Sequence, residues 1–505
     1  MFLPIHVLNG PSMPPIWWAV PIFLLLFILS RALRALLDPL RKQPGPFAAR
    51  FTRLWLLRQY TRGDYRKTNI ELHKKYGPIV RIAPGQYSID SLEAAKIIYG
   101  HGSHFVKSDF YITFGDPNRG NLFTYQDPKT HAHMRRQVSN VYTMSSMVSY
   151  EPYVDECADI FLQRLSEVAA SGKPMDLGHW FQCYAFDVIG QITFSKSFQC
   201  LDAGQDPQGI IKALEDALKL SSAMGVYPSI WPLLFKVFQL FAQGKNEKGH
   251  SLLIRRVQEQ VDARQKEDKV PDGPQDFIMK LVHARKERPD AISEEAIFLT
   301  GGANVAAGSD TTSISLSGIM YNLLKNPHAM QKLRKELDDA VANGSVSSPI
   351  TFKESQALPY LQAVIKEGLR MHPATGFTMP RVVPKGGRPL AGTFFPEGNV
   401  VGINSWVAHH NEDIYGRDAK YFRPERWLDS APEQKSRMES YFFAFGQGSR
   451  TCIGKNISLL EISKTIPRVV QNFDFTLENQ DEMDCDGFWF VKPRDFRCLV
   501  RKRVL

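Results

Sequence analysis

Phe445-Gly446-Gln447-Gly448-Ser449-Arg450-Thr451-Cys452-Ile453-Gly454 is a glycine-rich loop that carries a cysteine near its end and runs into a periodic apolar stretch at 456–470. Glycines let a backbone pass close to something bulky and flat. A helix N-terminus next to Cys452, with Arg450 close by, is expected to favour a thiolate, because both stabilise negative charge on sulfur. A lone cysteine is more often a small buried hydrophobe. The spacing Phe-x-x-Gly-x-Arg-x-Cys-x-Gly is too specific for that reading and points instead to a sulfur that serves as a soft ligand.

Upstream of the loop, Ala307-Gly308-Ser309-Asp310-Thr311-Thr312 lies inside an apolar-periodic stretch at 293–325. Glycine within a helix costs about 1 kcal/mol relative to alanine, so Gly308 needs a reason. An acid beside an alcohol can move a proton to a group within hydrogen-bond reach, which makes Asp310 and Thr311 candidate catalytic residues. The bland alternative is a hydroxyl patch bonded back to its own helix. Glu367 and Arg370 share a helix face at i, i+3, an arrangement worth little by itself, and Pro424-Glu425-Arg426-Trp427 supplies a further arginine. His131 and Arg135 stand four apart on a predicted helix, and Arg381 follows Met379-Pro380. His131-Ala132-His133 and His409-His410 lack cysteine or acidic partners at metal-ligand spacing and are read as non-metal.

At 505 residues, with 43% hydrophobic and 23% charged positions, the chain has the material of a large globular core, and wholesale disorder is excluded. Six cysteines without a C-x-x-C pair exclude zinc-finger and thioredoxin-like chemistry and favour a reducing compartment. Most of the formal charge of +10 is local: between Arg31 and Lys67 ten basic residues stand against Asp38 and Asp64, a net of +8. So local a band argues against nucleic acid. Residues 1–30 carry no Asp, Glu, Lys or Arg, and residues 16–30 are apolar up to Ser30. Residues 13–37 can cross a bilayer if Arg31 and Arg34 snorkel, with Trp17 and Trp18 at one interface. A cleaved signal peptide would need a basic stretch before the apolar run and a small-residue cleavage site after it, and both are missing. A retained single-pass helix is expected, with the rest of the chain cytosolic by the positive-inside tendency.

Pro44-Gly45-Pro46 reads as a hinge after this helix. Residues 79–82 and 86–89 alternate around Pro84-Gly85 as a small hairpin would. Helical periodicity marks 151–169, 208–224, 249–268 and 293–325, and Val400-Val401-Gly402-Ile403 is a short β-type run. The expected fold is mainly α with small β-sheets: a membrane anchor and basic juxtamembrane segment at 1–43, then one helix-heavy catalytic domain at 44–505.

Together these motifs resemble a cytochrome P450, a haem-thiolate monooxygenase, over nearly everything after the anchor. The resemblance implies the cytochrome P450 fold, with Cys452 as axial ligand to the iron of haem b (iron protoporphyrin IX), Phe445 near the sulfur and Gly448 in the haem-binding loop. It implies that Arg450, Arg135, Arg381 and His131 face the propionates, and that thiolate ligation favours O–O cleavage. Gly308 would make room for dioxygen, Asp310 and Thr311 would organise its protonation, and Glu367, Arg370 and Arg426 would form a buried triad that steadies the cysteine loop. Neither a G-x-G-x-x-G fingerprint nor a P-loop occurs, so electrons are expected from a partner. The resemblance implies NADPH-cytochrome P450 reductase in the same endoplasmic reticulum membrane, with cytochrome b5 as a further donor. A basic rim of Arg136, Lys435, Arg437 and Lys455 could meet its acidic surface.

Substrate contacts in the family fall here at about 104–126, 215–227, 235–245, 299–307, 374–379 and 485–490. Phe105, Phe110, Phe114, Phe123, Val305, Phe377, Phe488 and Trp489 would line an apolar cavity for a lipophilic small molecule, with core packing the alternative for each. Tyr76-Gly77-Pro78-Ile79-Val80-Arg81-Ile82 and Met144-Ser145-Ser146 resemble the fungal pisatin-demethylase-like branch, whose members tailor terpenoids, polyketides or alkaloids. Two other readings stand beside this one. A haem-thiolate isomerase or dehydratase would need no reductase, and the intact Asp310-Thr311 pair argues against it. A non-catalytic membrane-anchored haem-binding protein would have no use for oxygen-activating residues.

Overall fold

A helix that is apolar all round has to be covered on every side. Leu177–Phe194, LGHWFQCYAFDVIGQITF, is such a helix, and in a computed structural model of the chain it packs along the 32-residue helix Glu294–Lys325. The structure describes residues 16–242, 250–266 and 274–504. Both helices begin at side-chain caps: Asp176 accepts from the His179 N–H, and Ser293 from the Ala296 N–H. The long helix ends at Asn326, ahead of Pro327, which cannot continue it. Helices Pro359–Met371 and Lys455–Asn472 pack on its remaining flanks, and Ile297, Leu316, Ile319, Leu361 and Ile462 meet in the core between them. The periodic stretches read from the sequence are the helices Glu151–Ser171, Ile210–Met224, His250–Gln265 and Glu294–Lys325. The fold is mainly α with small sheets, as expected.

The largest sheet has five strands in the order Ile79–Ala83, Gln86–Ile89, Val400–Gly402, Arg381–Val382 and Val106–Lys107. Its first pair is the expected antiparallel hairpin, with Ile79 opposite Ile89. All five residues of Ile79–Ala83 are buried, so the alternation in the sequence does not separate a wet face from a dry one. At the far edge Lys107 lies directly opposite Arg381. A three-stranded sheet (Met175–Asp176, Arg497–Lys502, Phe473–Leu477) and two hairpins complete the β structure among the described residues.

Ile16–Leu37 is a helix of 22 residues. At 1.5 Å per residue it is about 33 Å long, against roughly 30 Å of bilayer hydrocarbon. Its segment Ala19–Leu37 has a mean hydropathy of 2.1 and is not buried against the protein, which makes it a candidate membrane anchor. Residues 13–15 of the expected span, the side chains of Trp17 and Trp18, and positions 243–245 of the expected substrate segments lie outside the described residues. Pro44-Gly45-Pro46 is not the free hinge its composition suggests. The Pro44 carbonyl accepts from the Arg81 N–H at 2.8 Å, and a Cβ on Gly45 would stand 2.3 Å from the Arg81 carbonyl oxygen. Arg81 is itself buried, with Nη1 2.7 Å from Asp38 Oδ2 and Nη2 2.6 Å from the Leu40 carbonyl. A buried guanidinium needs an anion, and the juxtamembrane segment supplies it across the sheet.

Candidate active site

The glycine-rich loop closes on itself before its cysteine. The Cys452 N–H donates to the Phe445 carbonyl at 2.8 Å, and the Thr451 hydroxyl donates to the same oxygen at 3.1 Å. Gly448 has φ +63°, and a Cβ there would meet the Tyr99 carbonyl oxygen at 1.9 Å, so this glycine is demanded by the neighbouring backbone. The helix Lys455–Asn472 starts immediately after the loop, and the backbone N–H groups of Gly454 and Lys455 favour the ionised form of the Cys452 sulfur. The Cys452 side chain is accessible, whereas Cys157, Cys183, Cys200 and Cys498 are buried. Crowding by the surrounding protein pushes the thiol pKa up; the Gly454 and Lys455 amides and the charges of Arg135 and Lys455 only partly offset it. The cations that act on the sulfur are therefore Arg135 and Lys455 rather than Arg450, which is turned toward the Tyr125 and Gln126 carbonyls at 2.6 and 2.9 Å.

Arg135, on the helix Pro128–Val138, donates to the Thr451 carbonyl at 2.9 Å and so ties that helix to the cysteine loop. Arg381, buried, donates to the Tyr111 hydroxyl at 3.0 Å and lies over the Tyr99 ring. His131 is buried one turn from Arg135. Burial and the charges of Arg450, Lys107, Arg135 and Arg381 push its pKa down to about 3, so the imidazole is neutral. Lys107 is the cation that motif reading did not find. It is buried between the Tyr111 and Phe123 rings, 4.5 Å from each centroid. Burial and the charges of Arg381 and Arg450 push its pKa well down, and the same crowding brings Arg450 to about 10. None of these four cations forms an ion pair with a carboxylate among the described residues. Like charges directly across a sheet repel, and an anionic group placed between Lys107 and Arg381 would relieve that repulsion. The donor set thus fits a ligand with two carboxylates and a metal that binds sulfur, which is the chemistry of a haem.

The middle of the long helix offers an accessible stripe at Ala303, Ala307 and Thr311, spaced by four, while Asn304, Val305, Ser309, Asp310 and Thr312 are buried. Thr312 meets Ser458 of the helix after Cys452, hydroxyl to hydroxyl, at 2.9 Å. The Thr311 hydroxyl donates to the Ala307 carbonyl at 2.8 Å, so its lone pairs are what it presents to the open side. Asp310 points elsewhere, into the contact with Leu177–Phe194, where Gln182 Nε2 donates to its Oδ1 at 2.7 Å. Burial pushes the Asp310 pKa up, Glu215 adds to the rise, and Lys492 opposes it. Gly308 also faces that neighbouring helix: a Cβ would stand 3.0 Å from Ile189 Cδ1, so close packing accounts for this glycine.

Glu367, Arg370 and Arg426 do meet, fully buried. Glu367 Oε1 accepts from Arg370 Nη2 at 2.8 Å, from Arg426 Nε at 2.9 Å and from the Arg423 N–H at 3.0 Å. Oε2 accepts from Arg370 Nε and Trp427 Nε1, both at 2.9 Å. Burial raises the carboxyl pKa, but the charges and hydrogen bonds of Arg370 and Arg426 bring it below the ordinary value. His409 carries the cluster to the cysteine loop: Nδ1 lies 2.9 Å from the Arg370 carbonyl and Nε2 accepts from the Phe443 N–H at 2.8 Å.

Most of the aromatics expected to line a cavity pack on one another. Phe110, Phe114 and Phe123 each lie within 5.6 Å of the Trp489 ring, centre to centre, and Phe377 stacks on Tyr60 at 3.7 Å. Phe105, Val305 and Phe377 are buried in the core; Phe114, Phe123 and Phe488 keep accessible surface. A cavity of about 410 Å³ lies beyond Phe110, lined by Arg53, Tyr60, Val226 and Val401 among others, and it includes neither the Cys452 loop nor the long helix.

A family model for cytochrome P450 matches residues 44–496. The chain is 41% identical over 472 residues to a pisatin demethylase of Fusarium vanettenii, covering 92% of this chain and 91% of that protein. It is 38% identical over 503 residues to cytochrome P450 monooxygenase gsfF of Penicillium aethiopicum, covering 95% and 99%. With a cytochrome P450 monooxygenase of Aspergillus terreus it shares 36% over 476 residues, covering 91% and 94%.

Proposed function

The chain belongs to the cytochrome P450 family and is a P450 monooxygenase, and we propose that it uses haem b held by Cys452 to insert one atom of O2 into a lipophilic fungal secondary metabolite. The observation that carries this reading is the gathering of Lys107, Arg135, Arg381 and Arg450, without carboxylate partners among the described residues, around the loop of the accessible Cys452. Bound there, the haem supplies dioxygen activation, and its thiolate ligand favours O–O cleavage. Cys452 would hold the iron through an ionised sulfur, an anion that the Gly454 and Lys455 N–H groups and the charges of Arg135 and Lys455 favour. The four cations neutralise two carboxylates, and the neutral His131 can donate one further N–H.

Asp310 lies in the interior, where burial raises its pKa and favours the acid form, and Thr311 presents its lone pairs on the open face of the helix. Electrons come from NADPH-cytochrome P450 reductase, with cytochrome b5 as a further donor. Arg136, Arg437 and Lys455 are exposed for that contact and Lys435 is half-buried. Ile16–Leu37 holds the protein in the endoplasmic reticulum membrane with residues 44–505 as the cytosolic catalytic domain. Because two relatives at 41% identity are named pisatin demethylase, oxidative demethylation is assayed beside hydroxylation. The test places the full chain and the reductase in lipid vesicles with NADPH, isotopically labelled O2 and a panel of methoxylated and unmethoxylated lipophilic aromatics. One labelled oxygen transferred per NADPH is expected. Conversion without NADPH, or a hydroxylated product free of label, would overturn the reading; in a demethylation the inserted oxygen leaves with formaldehyde, so there one formaldehyde per NADPH is the measure.

A further inference from the structure

Asp310 is buried, and its carboxyl meets one hydrogen-bond donor among the described residues, Gln182 Nε2 at 2.7 Å from Oδ1. Gln182 is buried too, on the neighbouring helix Leu177–Phe194. Its amide oxygen accepts from Lys492 Nζ at 2.6 Å, from the strand Val491–Pro493. The same ammonium pairs with Glu215 of the helix Ile210–Met224, and both of these side chains reach the surface, each a quarter exposed. Four elements therefore deliver one polar chain that runs from solvent to Asp310.

The order of donors along this chain has only one solution. An ammonium donates and cannot accept, so Gln182 must turn its oxygen to Lys492 and its NH2 to Asp310. Oδ1 of Asp310 must then accept, and a proton on this carboxyl resides on Oδ2. We propose that Gln182, Lys492 and Glu215 are positioning residues for Asp310: Lys492 orients the amide, the amide assigns the proton to Oδ2, and Glu215 balances the ammonium. The inference rests on the reading of Asp310 as the internal proton donor. A proton leaving Oδ2 would pass through water to the oxygen being reduced and another would return from water, so the group is restored after each turnover. Without Lys492 the amide is free to rotate by half a turn and present its oxygen to the carboxyl O–H, which would hold the proton on Gln182. The charged groups acting on Asp310 are Lys492 and Glu215, of opposite sign, and burial raises the pKa of the acid between them.

The experiment compares wild type, Lys492→Met, Lys492→Arg, Glu215→Gln and Asp310→Asn as full-length haem-loaded proteins. Two readouts are taken: hydrogen peroxide released per NADPH, and the carboxylic C=O infrared band of Asp310, identified by its loss in Asp310→Asn. Lys492→Met is expected to raise peroxide release about ten-fold, the scale of one reoriented hydrogen bond, and to move the C=O band to the lower frequency of a donating carboxyl. Lys492→Arg is expected to restore both. Glu215→Gln leaves the ammonium unbalanced and should make the band disappear at lower pH than in wild type. If Asp310→Asn uncouples turnover while Lys492→Met changes neither peroxide nor the band, this inference is wrong and the role of Asp310 stands. If Asp310→Asn leaves coupling intact, the role of Asp310 fails with it.

Discussion

Replacing Glu367 by alanine removes the acceptor for five N–H groups: Arg370 Nε and Nη2, Arg426 Nε, Trp427 Nε1 and the Arg423 amide. Arg370, with 0% side-chain exposure, is left without an anion among the described residues, and Arg426, with 1%, keeps only the partly exposed Asp418 at 3.1 Å. Breaking a buried pair at one partner typically costs about 3–5 kcal/mol, a large part of the roughly 5–15 kcal/mol that holds a domain folded. The damage has a short path to the cysteine: His409 joins the Arg370 carbonyl to the Phe443 N–H, and Phe445 receives the Cys452 N–H two residues later. Glu367→Ala is therefore expected to give protein that fails to retain haem, rather than a slow enzyme. Glu367→Gln should not rescue it, because the amide NH2 would face donors. Replacing Glu367, Arg370 and Arg426 together with apolar residues of similar volume should cost less than the single Glu367→Ala change. The Glu367 pKa is depressed in the fold, so its contribution is present above the ordinary carboxyl range and is lost as pH falls below it; the variant should show a flatter acid-unfolding curve. The assay is haem per protein after gel filtration, together with the thermal midpoint across pH. Soluble Glu367→Ala protein with full haem content and an unchanged midpoint would refute the reasoning.

A soluble protein truncated after residue 43 loses Asp38 and Leu40 and leaves Arg81 buried without its anion, so it should unfold earlier than one truncated after residue 36, by about 3–5 kcal/mol in denaturant melts; Arg81→Met should erase the difference. Lys107→Met should act in opposite directions on two states: it relieves repulsion with Arg381 and raises the apoprotein's midpoint, yet weakens haem retention roughly ten-fold, as haem transfer to apomyoglobin would measure. Both carboxyl oxygens of Glu461 are buried without hydrogen-bond partners, and burial pushes its pKa well up. The folded form binds this proton more tightly, so stability falls as pH rises from about 4.5 through the folded value, and Glu461→Gln should flatten that slope in melts between acid and alkaline pH.

The sequence carried the elements whose signal is local. The Glu294–Lys325 helix announces itself by cap, period and following proline, and the loop to Cys452 by its glycines. The triad was legible only through the family resemblance, since an i, i+3 pair such as Glu367 and Arg370 says nothing by itself about burial. What could not be read depends on contacts between distant segments. Lys107 sits in a strand of two residues whose meaning comes from Arg381 lying opposite, and Asp38 reaches Arg81 across 43 positions. Gln182 and Lys492 are 310 positions apart and polar in the ordinary way until the fold brings them to Asp310. The sidedness of single aromatics is not legible either: Phe377 and Trp489 have the composition of a pocket wall, but packing against Tyr60 and Phe110 spends their surface in the core, the alternative open for each, while Phe114, Phe123 and Phe488 keep accessible surface. Arg450 stands near Cys452 in the chain, but its guanidinium is committed to the Tyr125 and Gln126 carbonyls, which leaves Arg135 and Lys455 as the sulfur's cations.

The central claim is that iron is held by the ionised sulfur of Cys452, and the carbon monoxide difference spectrum of the reduced, haem-loaded protein tests it most directly. The strongly red-shifted Soret band of a thiolate-ligated haem is expected for wild type, with that band lost in Cys452→Ser. A wild-type spectrum of the imidazole-ligated kind, or the same red-shifted band in Cys452→Ser, would contradict it.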